Sequence, residues 1–220
     1  MKISILLPYK ENYSPTYPGA VSIFVSSTNK ISKYKNDVTI YGSTDHQKKL
    51  SSNYINIKLK KKILRSQSKE YVAKFLEIQK NANSDIIEIH NRPIYIEQLV
   101  QLKTNLVLYF HNDPITMIGS KTVSERVNLL STCSKIIFNS EWSKKQFLKD
   151  LKNFYHKSKK LEVIHQSTNK TKVNLYKKEK LITFVGKLNS AKGYDIFGNA
   201  ILKILDKYTK WKSLLIGDEP

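Results

Sequence analysis

Short apolar runs alternate with helical patterns along most of this chain, and that alternation restricts its fold more than any other feature. Residues 3–7 read as a buried strand broken by Pro8, and residues 20–32 carry Val21, Phe24, Val25 and Ile31 near helical spacing. Residues 38–41 and 54–59 are short strand candidates. Residues 68–83 place Tyr71, Val72, Phe75, Leu76 and Ile78 on one side of an amphipathic helix. A strand at 85–90 follows, then a helix opened by Pro93 and holding Ile96, Leu99, Val100 and Leu102. Strands at 105–111, 135–139 and 161–165 flank a helix at 122–131 and a second that starts after Ser140, an N-cap with Glu141 in the first turn.

Strand and helix in strict turn mean βαβ units, a parallel sheet and an α/β, Rossmann-like fold with helices on both faces. Right-handed crossovers collect the carboxyl ends of the strands on one edge, where open α/β sheets bind ligands. The polar exceptions fall there: His90-Asn91-Arg92, His111-Asn112-Asp113 and Asn139-Ser140-Glu141.

The pattern breaks in a Lys-, Asn-, Thr- and Ser-rich stretch before residue 180. The expected organisation is an amino-terminal Rossmann-like domain at 1–170, a linker at 171–180 and the start of a second at 181–220. That second part holds a strand at 181–185, a loop, a helix at 194–208 and a strand at 213–216. One βαβ unit of that size does not close its own core, so the second domain is expected to be incomplete.

Charge alone names no partner. The 38 basic against 18 acidic residues give a formal +20, which suits nucleic acid, anionic lipid or a phosphorylated substrate. Abundant Lys, Asn, Ile and Tyr with only Arg65, Arg92 and Arg126 also fit a compositional bias. Nucleic-acid readers lean on arginine, and the aromatic residues form no stacking motif, so no nucleic-acid partner is expected. Cys133 is the single cysteine, which excludes an internal disulfide. No metal is expected, because adjacent Asp45 and His46 lack further ligands at suitable spacing. Apolar runs are too short for a signal peptide or a membrane span, which points to a cytoplasmic protein.

The segment 184–195 carries the most chemistry. Gly186 and Gly193 flank Lys187 and Lys192 between a strand and a helix. Helix-terminal N–H groups and two ammonium groups suit a diphosphate; the same residues also suit a plain basic turn.

This segment resembles the donor-binding loop of the family 4 glycosyltransferases, retaining enzymes of the two-domain GT-B class. The resemblance extends to residues 2–8, to Pro18-Gly19-Ala20, to the segments ending in His90 and His111, and to 136–144. It implies transfer of a sugar from a nucleoside-diphosphate sugar, with retention, to a saccharide or lipid-linked acceptor, in cell-envelope polysaccharide or lipopolysaccharide synthesis. It assigns the donor diphosphate to Gly19, Gly186, Lys187 and Lys192, and His111 to the donor sugar as the catalytic candidate. His90, Asn91, Arg92, Asn112 and Glu141 would line the acceptor side. No cofactor or metal is implied.

The chain departs from the family in three places. Lys187 stands for the commoner Arg, one glycine for the usual pair at Gly19, and His165-Gln166 for an Asn-Gly turn. The family's two-glutamate donor segment has no counterpart in these 220 residues, so the chain is expected to be the front portion of such an enzyme. The alternative is an inactive fragment or non-catalytic binding module of the same fold. A basic–apolar cluster at 58–65, with Lys60, Lys61 and Lys62, is the candidate contact to the inner face of the cytoplasmic membrane.

Overall fold

The computed structural model describes residues 1–59, 66–156, 158–168, 170, 172, 176 and 178–218. The chain divides into two compact units, Met1–Ser167 and Thr168–Pro220. Most of the basic cluster, including Lys60, Lys61 and Lys62, lies outside the described residues, as does part of the stretch expected to be a linker.

The first unit is a seven-stranded sheet whose pairings are all parallel. Its strands are β1 (Ile3–Leu6), β2 (Val38–Gly42), β3 (Tyr54–Asn56), β4 (Ile86–His90), β5 (Asn105–Phe110), β6 (Lys135–Phe138) and β7 (Leu161–Val163). Their spatial order is β3-β2-β1-β4-β5-β6-β7. The chain works outward from β1 to β3, then crosses back through α2 (Gln67–Ala82) to β4 on the other side of β1.

Period-two alternation along the strands builds two cores. Ile5, Leu7, Val38 and Ile40 meet Val21 and Val25 of α1 (Ala20–Ile31) on one face. Leu6, Tyr41, Ile87, Ile89, Leu108, Phe110 and Phe138 meet the other helices on the opposite face. Those helices are α2, α3 (Ile96–Leu99), α4 (Val123–Thr132), α5 (Glu141–Leu148) and α6 (Asn153–His156). Local chemistry starts them: Thr122 and Glu125 form a reciprocal capping box on α4, and Ser140 accepts from the Ser143 amide at α5.

Three elements differ from their sequence patterns. The helix expected from Pro93 breaks into a tight turn at Pro93–Tyr95, the single turn α3, and a second tight turn closed by Lys103 at φ +52°. The segment is rich in β-branched and aromatic side chains, which favour a regular helix less than Ala, Leu or Glu. The strand candidate at 54–59 pairs only over Tyr54–Asn56, because its one neighbour β2 ends at Gly42. The candidate at 161–165 pairs only to Val163, opposite the end of β6 at Phe138.

The second unit contains β8 (Leu181–Val185), α7 (Tyr194–Lys207) and β9 (Lys212–Ile216), with β8 and β9 parallel. Phe184 turns toward α7 and meets Phe197 at 5.2 Å between ring centroids. Leu181, Val185, Leu214, Leu215 and Ile216 remain exposed. No helix among the described residues is long and apolar enough to cross a membrane.

Candidate functional site

The strand order reverses between β1 and β4, so the crevice at their carboxyl ends is the position the topology favours for a ligand. His90 closes β4 and is the ladder partner of Tyr109 in β5. His111 follows two residues after Tyr109, so strand alternation puts all three rings on one face. They stack: Tyr109 on His111 at 4.6 Å and His90 on His111 at 5.1 Å between centroids. Phe24 of α1 meets the edge of the pair, 5.0 Å from His111 and 6.1 Å from His90.

A polar chain runs through this stack. Glu88 Oε1 lies 2.7 Å from His90 Nε2, close enough for an ion pair but off the line of a hydrogen bond. His90 Nδ1 lies 2.8 Å from His111 Nε2, and His111 Nδ1 lies 2.6 Å from Gln166 Nε2. The facing carboxylate favours the His90 proton on Nε2, leaving Nδ1 to accept from His111 Nε2–H. The His111 Nδ1 lone pair then accepts from the Gln166 amide, and every nitrogen has a consistent role. Burial, with His90 adding to it, pulls His111 down to about 3, so its ring is neutral at ordinary pH. Burial, with the Glu88 carboxylate, pushes the Tyr109 phenol up to about 12; its hydroxyl donates to the Ile164 carbonyl at 2.8 Å.

The neighbouring asparagines hold the backbone. Asn91, at φ +56°, accepts from the His111 amide through Oδ1 at 3.2 Å. Asn139 donates to the His111 carbonyl at 2.7 Å and accepts from Ser143 at 2.9 Å. Arg92 donates to the Asn91 carbonyl at 2.7 Å. The structure thus joins His90, Asn91, Arg92 and His111, whereas Asn112 and Glu141 are exposed and outside this network. His90 is fully buried, so it supports His111 and offers no surface to a ligand itself.

Gly19, singled out as a phosphate contact, is covered by a carboxylate. The N-cap glycine of α1 has extended geometry, and a Cβ there would stand 1.9 Å from Glu11 Oε1. That oxygen accepts from the Ser22 amide at 3.0 Å, filling the role of an anion at the helix N-terminus. A phosphate reaches this turn only if Glu11 moves. The sequence marks none of Glu11, Glu88, Phe24 and Gln166 as a site residue. Period two places Glu88 on the face of His90, the one local signal among the four.

In the second unit, a tight turn at Ser190–Lys192 leads to Gly193 at φ +73°, the N-cap of α7. No side chain caps that helix, and Lys187 and Lys192 are exposed. The left-handed backbone explains Gly193. Gly186 has ordinary room for a Cβ, and the close backbone approach belongs to Gly217, where a Cβ would stand 1.9 Å from the Gly186 oxygen. Among the described residues, no three His, Cys, Asp or Glu side chains gather as metal ligands.

No protein-family model and no curated sequence matches the chain. Solved structures do. Anabaena HepE in complex with UDP-glucose superposes with a TM-score of 0.65 at 14% identity, covering 99% of this chain and 61% of that one. Starch synthase IV from Arabidopsis thaliana, bound to ADP and acarbose, gives 0.64 at 12%, covering 100% and 69%. UDP-GlcNAc 2-epimerase from Neisseria meningitidis, bound to UDP-GlcNAc, gives 0.55 at 14%, covering 98% and 65%. The chain spans about three fifths of the length of HepE. With its parallel sheet and second βαβ unit, this chain has a Rossmann-like fold of the GT-B type.

Proposed function

We propose that this chain belongs to a glycosyltransferase that moves a sugar, with retention, from a nucleoside-diphosphate sugar to a saccharide or lipid-linked acceptor. The observation that carries the reading is the loop at 186–193. It brings two exposed ammonium groups to the start of a helix whose N–H groups no side chain caps. A departing diphosphate gains charge, and fixed cations with aligned N–H dipoles stabilise that gain. Lys187 and Lys192 are assigned this role. His111 acts as a neutral hydrogen-bonding ring, since its acid form is absent at neutral pH. Fold likeness to structures holding UDP-glucose and ADP supports the donor class. The cytoplasmic setting, the envelope-polysaccharide role and a peripheral contact through Lys60, Lys61 and Lys62 belong to the same proposal.

A second reading, epimerisation of a nucleotide sugar, draws on the likeness to the Neisseria meningitidis epimerase, at a lower TM-score. One experiment addresses both. The chain is titrated with UDP, ADP and UDP-glucose, and product formation is followed with radiolabelled nucleotide sugars, including in a longer form. Tighter binding of the diphosphates than of UMP or AMP, weakened about tenfold or more by Lys192→Ala, is expected. Unchanged binding in Lys187→Ala and Lys192→Ala would remove the loop from the site. Conversion of the nucleotide sugar without transfer would favour the epimerase.

A further inference from the structure

The contacts around His111 leave its ring one freedom, the position of its proton. Asn91 and Asn139 hold the backbone on either side, and Phe24, His90 and Tyr109 hold the ring plane. With both imidazoles neutral, the 2.8 Å contact between His90 Nδ1 and His111 Nε2 admits two proton arrangements. In the first, each ring carries its proton on Nε2, and His111 Nδ1 is an acceptor. In the second, each carries it on Nδ1, and His111 Nδ1 is a donor. Gln166 meets either one by turning its exposed amide, so it does not choose between them.

Glu88 does choose. Its Oε1 lies 2.7 Å from His90 Nε2, and a bare nitrogen there would set two lone pairs against each other. Only the first arrangement puts a proton between them. The strand gives Glu88 no other task. Its ladder partners are Ile5 and Val107, and among the described residues His90 is its one ion-pair or hydrogen-bond partner. A carboxylate only 28% exposed, without a permanent cation, costs the fold stability, so packing does not account for it.

We propose that Glu88 is a positioning residue that determines specificity: through His90 it makes His111 Nδ1 an acceptor, so the site takes the hydroxyl of a neutral sugar and rejects the carboxylate of an acidic one. A hydroxyl brings its own proton and replaces the Gln166 amide with a donor of the same sense. A carboxylate has no proton to share and meets a lone pair. The sugar part rests on the transferase reading, in which His111 is a neutral hydrogen-bonding ring; the control of the proton by Glu88 stands apart from it.

The test is imidazole nitrogen NMR of the whole 220-residue chain, labelled on histidine, at pH 7. Wild type is compared with Glu88→Gln and Glu88→Lys, and each is titrated with UDP, UDP-glucose and UDP-glucuronate. Wild-type His111 should show a protonated Nε2 and a bare Nδ1. Glu88→Lys places a donor against His90 Nε2 and should reverse both rings. Glu88→Gln keeps the size and can donate or accept, so a mixture of the two arrangements is expected. UDP-glucose should bind the wild type about tenfold tighter than UDP-glucuronate, and that ratio should shrink in both variants while UDP binding changes less. A protonated His111 Nδ1 in the wild type overturns the proposal, as does an unchanged proton pattern in Glu88→Lys. Should Glu88→Lys fail to fold, an unchanged pattern in Glu88→Gln decides in the same way. Equal wild-type affinity for the two nucleotide sugars overturns the rejection of acidic sugars. The expected proton pattern with no nucleotide-sugar binding keeps the control of His111 by Glu88, and sinks the transferase reading and the sugar part with it.

Discussion

His90 Nδ1 and His111 Nε2 lie 2.8 Å apart, and groups at both ends of the pair determine which nitrogen holds the proton. Glu88 faces the outer nitrogen of His90, and Gln166 faces the outer nitrogen of His111. His111 therefore has no free ring nitrogen, and a ligand that uses its Nδ1 must first displace the Gln166 amide.

The buried, neutral state of His111 predicts a pH dependence of stability. Its value near 3 in the fold lies below the ordinary histidine value of 6.5. The unfolded chain thus binds more protons between these values, and stability is lost as pH falls through that window. The slope from this one group is at most about 1.4 kcal/mol per pH unit. Urea titrations at pH 4, 5 and 7 should show it in the wild type and a shallower slope in His111→Asn. Equal slopes would mean that His111 titrates normally.

Gly19 and Glu11 should be energetically coupled. A methyl at residue 19 displaces the Glu11 carboxylate, and the Ser22 amide loses its acceptor. Gly19→Ala should cost about 1 kcal/mol, and much less in a Glu11→Ala background. Additive losses in this double-mutant cycle would show that Glu11 is not what Gly19 accommodates.

Two glycines of the second unit should respond in opposite directions. Gly198 lies within α7 with open space at its Cβ, so Gly198→Ala should stabilise α7 by about 0.5–1 kcal/mol. Gly217→Ala drives a methyl onto the Gly186 carbonyl and should loosen the β8–β9 pair. Amide exchange in residues 181–216 reads both effects, and protection retained in Gly217→Ala would contradict the close approach.

Arg126 is buried and donates to the carbonyls of Ser120, Lys121 and Lys149. Arg126→Met leaves those carbonyls unpaired and should cost about 2–4 kcal/mol. Arg126→Lys keeps the charge without the planar fork and should recover only part of it. Denaturant midpoints measure both, and a neutral Arg126→Met would show that water replaces the guanidinium.

The fold class was legible in the sequence because its signals are local. Apolar period along Tyr71, Val72, Phe75 and Leu76 marked α2, and Ser140 marked the start of α5. A repeated strand–helix order then leaves little choice but a parallel sheet with one ligand edge, and His90 and His111 fall on it because each lies at the end of a strand. Tertiary structure decided the rest. That His90 meets His111, that Gln166 closes the outer end of His111, and that β3 stops where β2 does all depend on residues distant in the chain. Such contacts follow from the order in which strands pair, and no short window of sequence contains that order.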